Sequence, residues 1–409
     1  MPRRIAAHVP GLIYTGLLTL VGLAAMNNQN NLLFWVFGVF AAGLVVSALI
    51  STIIIRSVRV RRIDPQHGAV GEPLVVRYVV TNRSRLFSAF NVHLAETPPV
   101  NALATGGDGS DWSSFMAPAA AWVMHVGPRE SLHGEAIFWP TRRGRVTFER
   151  MRVWSAFPFG IIRKTRTCSQ PQHTLIYPML YELRPGFLSS IAPRGLMGSK
   201  VSHRAGAGDD YYGTREYKPG DSMRHIAWKR AARLDQLISI DRTSPSPARL
   251  RVILDLTVPT SQLHVEPAGP EQARDLEERA ISLAASVLHA ADLDGFEVGL
   301  TIMGFPAPDI AVRRNQWHYN KVMAALAGID LDASRLGARS RPIRDAERAA
   351  IVVIAPDRVQ PFAAREDAIY LTARQLDTLA VRPIGWDARR RAAGVAPNSP
   401  KDREAEAAA

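Results

Sequence analysis

Residues Leu32–Ile55 read LLFWVFGVFAAGLVVSALISTIII, twenty-four positions without a charge. As a helix rising about 1.5 Å per residue, this run is roughly 36 Å long and covers the ~30 Å hydrocarbon core of a bilayer with some tilt. A second uncharged run, GLIYTGLLTLVGLAAM over Gly11–Met26, lies upstream at the short limit for a span. Five amides, Asn27-Asn28-Gln29-Asn30-Asn31, separate the two. Such side chains are costly to bury in lipid, so they predict a turn at an interface and a transmembrane helical hairpin over residues 1–57. Arg3 and Arg4 precede the first run, Arg56, Arg59, Arg61 and Arg62 follow the second, and the turn carries neither Lys nor Arg. This asymmetry places both termini in the cytoplasm. A basic start and Ala24-Ala25 also suit a cleaved signal peptide, and a buried soluble hairpin would show similar runs. The longer second run with its basic stop-transfer flank favours the spanning hairpin.

Composition bounds the rest. A hydrophobic share of 47% in 409 residues excludes a disordered chain. The single cysteine excludes a disulfide framework, a multi-Cys zinc site and a Cys-ligated iron–sulfur cluster. That residue, Cys168, stands in the polar stretch Arg166–Gln170 and reads as an ordinary free thiol. Fifty Lys+Arg against 37 Asp+Glu give +13, which points to an acidic partner surface, nucleic acid or anionic lipid. The six arginines flanking the spans account for part of that excess.

Over residues 58–170 the hydrophobic period is two. Val58–Arg61, Leu74–Val80, Ala121–Val126, Ala136–Trp139 and Arg145–Trp154 are short alternating runs between Gly, Pro and Asn turns, the pattern of an all-β sandwich. Phe157-Pro158-Phe159-Gly160 reads as its closing turn, with the aromatics in the core. Residues 171–248 read as a linker carrying one distinctive motif. Over residues 249–386 strands alternate with helices. The strands are Leu250–Leu254, Phe296–Ile302, Ala350–Ile354 and Ala368–Leu371, and the helices run over Gln272–Leu293 and Tyr319–Ala327. Continuous apolar strands with intervening helices predict a mainly parallel α/β sheet covered on both faces. Residues 387–409 are polar and charged and read as a disordered tail. The chain has no internal repeat.

Several chemistries lack their residues. There is no G-x-x-x-x-G-K-[ST] for a P-loop, and no H-E-x-x-H, G-x-S-x-G or paired C-x-x-C. The eleven histidines are scattered. Gly206-Ala207-Gly208 precedes Asp209-Asp210 instead of opening a helix after a strand. No catalytic residue and no cofactor-binding residue is assigned, and the expectation is a protein that is not an enzyme.

The distinctive stretch is Gly208–Arg233, GDDYYGTREYKPGDSMRHIAWKRAAR. Pro219-Gly220 predicts a turn, Asp221 or Ser222 a helix cap, and Met223, Ile226, Ala227 and Ala231 one apolar face. Arg224, Lys229, Arg230 and Arg233 make the other side basic. One reading is a helix that docks the linker onto the next domain through Ile226 and Trp228. The other is a partner-binding surface of Arg215, Tyr217, Gly220, Asp221, Arg224, Trp228 and Arg233.

The spacing of Arg215, Tyr217, Gly220, Asp221, Arg224, Ile226, Trp228, Ala232 and Arg233 resembles the hallmark of the bacterial domain-of-unknown-function family fifty-eight. The resemblance extends to the N-terminal hairpin, Arg142-Arg143-Gly144-Arg145, the Pro-Phe-Gly turn and Ile176-Tyr177-Pro178. Ala227 departs from the family pattern, in which an acidic residue usually precedes the tryptophan. The resemblance implies a last domain similar to a von Willebrand factor type A domain (Rossmann-like). It also implies a place in a bacterial inner (plasma) membrane and association with MoxR-type AAA+ ATPases. In such domains an adhesion-type magnesium site follows the first strand as D-x-S-x-S. Here Asp255-Leu256-Thr257-Val258-Pro259-Thr260 keeps Asp255 and Thr257, while Pro259 has no hydroxyl for the third ligand. Magnesium demands near-octahedral oxygen ligation, so any Mg2+ site built on Asp255 and Thr257 is degenerate. Asp357 is a further acidic contributor or an ordinary loop residue.

Two functions follow as expectations. The first is a non-catalytic, membrane-anchored adaptor whose cytosolic type A-like domain binds protein partners, a MoxR-type AAA+ ATPase above all, in complex assembly or maturation. The alternative is a basic protein of the cytosolic face that binds nucleic acid or anionic lipid, using Tyr211, Tyr212, Tyr217 and Trp228 beside arginines. Of these ligands, nucleic acid is disfavoured. The topology has a direct test: a reporter fused after Ala409 should be active in the cytoplasm and one inserted within Asn27–Asn31 outside it, and periplasmic activity of the C-terminal fusion would refute the assignment.

Overall fold

The computed structural model describes residues 4–6, 9–98, 110–191, 202–219, 221–244, 248–264, 270–336, 349–358 and 368–385. The tail expected at 387–409 lies outside them. The described residues form two compact units, one of residues up to Tyr177 with Gly385, the other within Pro178–Ile384.

In the first unit β1 (Arg4–Ala6) leads into α1 (Val9–Asn28) and α2 (Asn31–Ser57). The turn between the helices is shorter than the five amides suggested. Gln29 takes the left-handed conformation at φ 46°, and the Asn30 carboxamide caps α2 by accepting from Leu32 N at 2.9 Å. A cap that satisfies a free amide lets Asn27 and Asn28 continue one helix and Asn31 begin the next. The Tyr14 hydroxyl ties the pair by donating to Phe40 O at 2.9 Å. Both helices are long and apolar enough to cross a bilayer. Only Ala25 in α1 and Ser47, Ser51, Ile54 and Ile55 in α2 are buried. Leu12, Leu20, Leu23, Trp35, Val39 and Leu49 face outward, an apolar surface larger than water-soluble proteins normally carry.

The chain continues through β2 (Val58–Arg62), β3 (Gly68–Ala69), β4 (Leu74–Asn82) and β5 (Ala89–Thr97). Next come β6 (Ala120–Val126), β7 (Ser131–Phe138), β8 (Gly144–Ser155) and β9 (Arg163–Tyr177). One sheet has the order β2-β4-β7. The other has the order β1-β9-β8-β5-β6, with β3 also paired to β9. The period-two pattern is visible in β4, where Leu74, Val76, Tyr78 and Val80 point inward. They join Val92 and Leu94 of β5 and Val146 and Phe148 of β8 in one core around Trp112 and Phe138. The last strand runs past the boundary expected at residue 170, because Gln172, His173 and Thr174 stay in the ladder opposite Phe148, Thr147 and Val146.

Between the sheets lies a buried ion pair. Arg62 of β2 reaches Glu96 of β5, Nε to Oε1 at 3.0 Å and Nη2 to Oε2 at 2.7 Å, and both side chains are fully buried. Arg62 Nη1 also donates to Gln170 O at 2.8 Å and Phe148 O at 3.2 Å, and the Tyr78 hydroxyl donates to Glu96 Oε1 at 2.7 Å. Burial pushes the Glu96 carboxyl above its ordinary range, and Arg62 and Tyr78 oppose that rise.

The second unit begins with β10 (Tyr181–Leu183) and α3 (Phe187–Ile191), then β11 (Ser202–Glu216), α4 (Trp228–Leu234) and β12 (Ile238–Ser244). The α/β part follows as β13 (Arg249–Asp255), α5 (Pro270–Leu293), β14 (Glu297–Met303) and β15 (Ile310–Arg313). It ends with α6 (Gln316–Ala327), β16 (Ala350–Ala355), β17 (Ala368–Thr372), α7 (Leu376–Leu379) and β18 (Ala380–Pro383). The sheet order is β15-β14-β13-β16-β17, parallel except for β15, an edge strand that the hydrophobic pattern does not announce. β10 pairs with β18, so the segment expected as linker begins inside this unit.

Removing Arg62 leaves a buried carboxylate without its cation, held by the Tyr78 hydroxyl alone. Arg62→Ala should lower unfolding stability by about 3–5 kcal/mol in denaturant titration followed by tryptophan emission. The exposed pair Arg77–Glu135, 2.9 Å apart, supplies the contrast, and Arg77→Ala should cost no more than ~1 kcal/mol.

Candidate partner-binding surface

β11 and β12 form an antiparallel hairpin in which Thr214, Arg215 and Glu216 pair with Ile240, Ser239 and Ile238. The motif is the long excursion between them. It leaves β11 at Tyr217, whose N–H donates to Leu237 O at 2.9 Å, and returns by pairing its own backbone to β12. Ile226 bridges Ser239, and Ala227 N donates to Ile238 O at 2.8 Å. Ile226, Ala231 and Ile238 are buried. The expected helix capped by Asp221 or Ser222 is absent: Met223–His225 is a single 3-10 turn, and α4 starts at Trp228 with Ala227 at its cap and no side-chain cap bond.

Asp221 has another task. Its carboxylate takes two hydrogen bonds from Arg215, each 2.8 Å, and one from Lys218 N at 2.9 Å. Arg215 first, then that amide, holds the Asp221 carboxyl below its usual range. The clamp closes the turn 215–221 and fixes where the excursion leaves the strand. Gly220 lies outside the described residues, as do the side chains of Tyr211 and Tyr212.

The docking reading is half corrected. Ile226 is buried as expected, but Trp228 is 60% exposed. Residues 226–227 pair with β12, and Trp228, the first residue of α4, stands outward. Met223, Leu234 and Leu237 are exposed with it, at 64%, 60% and 49%. Arg224, Lys229, Arg230 and Arg233 are exposed in the same excursion, where Arg230 also donates to Thr214 Oγ1 at 2.8 Å. Over residues 217–237, five basic residues (Lys218, Arg224, Lys229, Arg230, Arg233) stand against two acidic ones (Asp221, Asp235). Large apolar side chains and cations are thus exposed together within one short excursion, which the Arg215–Asp221 clamp closes at its start.

The loop after β13 does not fit magnesium. Asp255 Oδ1 accepts from Thr257 Oγ1 at 2.6 Å and from Thr257 N at 3.0 Å, which closes the loop on itself. The guanidinium of Arg335 supplies the positive charge. Its Nη1 donates to Leu256 O at 2.8 Å and to Val258 O, and its Nη2 donates to Thr260 Oγ1 at 2.7 Å and to the carboxylate of Glu277. Glu277 is fully buried. Loop oxygens held by a guanidinium, with Pro259 lacking a hydroxyl, leave no near-octahedral shell for the ion. Asp357 does not contribute, since it accepts from Arg374 Nε at 2.9 Å and from His264 N at 3.2 Å. Among the described residues no group of three or more His, Cys, Asp or Glu is placed to hold a metal. The sequence did carry a signal for this site: Glu277 sits on the apolar face of α5, with Ala280, Ile281 and Ala284, where a charge needs a partner.

Residues 213–386 match the family described as "Protein of unknown function DUF58". A curated relative, the "Uncharacterized protein YeaD" of Bacillus subtilis (strain 168), is 23% identical over 192 residues. That match covers 47% of this chain and 44% of the relative, so it spans less than half of either. Among solved structures, the PapD-like domain 7 of human CEP192 gives a TM-score of 0.18 at 12% identity, covering 29% of this chain and 84% of that one. A β-glucosidase from Paenibacillus barengoltzii gives 0.17 at 15% identity, covering 62% and 25%. Likenesses this low carry no structural argument.

Three outcomes test these assignments. Arg335→Ala should lower stability by roughly 3–5 kcal/mol, the cost of stranding a buried carboxylate, while magnesium should leave the melting temperature of the native chain unchanged. Trp228→Ala should fall within about 0.5 kcal/mol of the parent, as expected for an exposed side chain that makes no cap bond and fills no core.

Proposed function

We propose that this chain, which belongs to the DUF58 family, is a non-catalytic, membrane-anchored adaptor that binds a protein partner through the 213–237 surface. One observation carries the reading. Within the family-matched segment, Trp228 and Met223 stand exposed among Arg224, Lys229, Arg230 and Arg233, while the chain beneath is held by the Arg215–Asp221 clamp. Exposed Trp and Arg side chains are the residue types that dominate binding energy at interfaces, and their excess positive charge selects an acidic partner surface.

The remaining parts of the reading have their own support. Two long apolar helices suit a membrane anchor, and the arginine flanks suit a bacterial inner membrane with the rest of the chain cytosolic. Two sheets sharing one core suit a β-sandwich. The order β15-β14-β13-β16-β17 with an antiparallel edge suits a von Willebrand factor type A-like domain. The family resemblance favours a MoxR-type AAA+ ATPase as the partner. Arg335 then fixes the loop that a metal would otherwise order, so the proposed adaptor works without magnesium in this domain.

The test is capture from a detergent extract with the full chain. Replacing Arg224 and Arg233 together by Glu should abolish ATPase capture while the melting temperature stays put, because charge reversal adds repulsion at the contact and exposed charges contribute little to folding. Trp228→Ala should weaken capture as well. Undiminished capture by both variants would remove this surface from the function. The depressed Asp221 value fixes the pH sense: the clamp is present above the ordinary Asp range and is lost as pH falls through the folded value, so capture should persist across neutral pH and fail only in acid.

A further inference from the structure

The loop that follows β8 carries a feature the adaptor reading leaves unused. Residues 156–162 run Ala-Phe-Pro-Phe-Gly-Ile-Ile and were expected to close the β fold with both phenylalanines inside. Phe157 does turn inward and stacks on Phe90 at 4.7 Å between ring centres. Phe159 turns out and is 59% exposed, while Gly160 N closes the turn on Ala156 O at 2.8 Å.

The position of that turn along the helices is what matters. α1 has 20 residues, close to the ~30 Å thickness of a hydrocarbon core at about 1.5 Å per residue. The same rise counted from the start of α2 at Asn31 ends near Ser51, and both near ends touch this loop. The Ser51 hydroxyl, fully buried, donates to Phe157 O at 2.6 Å and to Ile162 O at 3.3 Å. At Gly11 a Cβ would stand 2.4 Å from Ile161 O, so only glycine permits the first helix to pass this close. The next residues, Arg163 and Lys164, pair with Ala6 and Ile5 of β1, the strand that leads into α1. The turn is therefore clamped between both helices at the level where hydrocarbon gives way to headgroups, with one aromatic facing out and two cations following it. At that depth an exposed Phe can bury its apolar ring at the boundary between headgroups and acyl chains, as Trp, Phe and Leu do in interfacial segments, while neighbouring Lys and Arg are attracted by anionic headgroups.

We propose that the turn Ala156–Gly160 is an interfacial anchor, with Phe159 entering the boundary between headgroups and acyl chains of the adjacent lipid leaflet. This rests on the reading that α1 and α2 span a membrane. It goes beyond that reading by giving the β unit a lipid contact of its own, which fixes its orientation on the leaflet.

The experiment uses the full chain carrying Cys168→Ser, with an environment-sensitive fluorophore attached to Phe159→Cys in one variant and to Leu20→Cys, exposed in the middle of α1, in another. Each is reconstituted into vesicles of phosphatidylglycerol and phosphatidylethanolamine containing lipids with a nitroxide at a shallow or a deep acyl position. The expected result is a Phe159 label with blue-shifted emission, protected from iodide and quenched more by the shallow nitroxide, beside a Leu20 label quenched more by the deep one. Iodide access at Phe159 with normal quenching at Leu20 would overturn the anchor and leave the spanning helices intact. Protection from iodide without nitroxide quenching at Phe159 would also overturn it, in favour of a protein neighbour over the turn. Loss of lipid quenching at Leu20 would reject the membrane reading itself, and the anchor with it.

Discussion

The buried Arg62–Glu96 pair is the constraint on which the first unit turns. Arg62 belongs to the short strand that leaves α2, Glu96 to the opposite sheet, and the guanidinium also holds the backbone carbonyls of Phe148 and Gln170. One side chain thus sets the spacing of the two sheets, the register of β8 against β9 and the direction in which the chain leaves the helical hairpin. A buried pair of this kind does not by itself add net stability, because both ions lose their hydration. Its consequence is specificity: any packing that separates the partners strands a charge in an apolar core.

The second unit repeats the device with a different result. Arg335 crosses to the loop after β13 and meets Leu256 O, Val258 O, Thr260 and the buried Glu277. In a sheet of this order the loop at the carboxyl end of the central strand is where ligands usually meet the fold. Here a guanidinium occupies it and Asp255 is closed on Thr257. A fixed cation from the chain itself requires no ligand to order the loop, which moves the candidate binding surface away from the sheet and onto the excursion between β11 and β12.

That excursion shows how local polar bonding leaves apolar side chains outside. The Arg215–Asp221 clamp and the pairing of residues 226–227 with β12 satisfy the backbone and consume the inner face with Ile226 and Ala231. The α4 helix is only seven residues long and cannot bury a second stripe. Trp228, Met223 and Leu234 remain outside beside the cations, an arrangement that costs solubility unless a partner covers it.

The sequence by itself determined what depends on local pattern. Two long uncharged runs gave the helices α1 and α2, period two gave β2, β4, β6, β7 and β8 but not β5, and continuous apolar runs gave β13, β14 and β16, because periodicity records which faces leave water. The motif from Arg215 to Arg233 was legible as a functional candidate, and part of its apolar face, Ile226 and Ala231, was named correctly. Tertiary structure decided the rest. It replaced Asp221 as a helix cap with Asp221 as the partner of Arg215, turned Trp228 outward, made a hairpin of the expected linker, and brought Arg335 to Glu277 across 58 residues of chain. The reason is that an ion pair or a ladder bond is fixed by meeting in space, whereas sequence spacing reports only neighbours within a turn of helix or a step of strand.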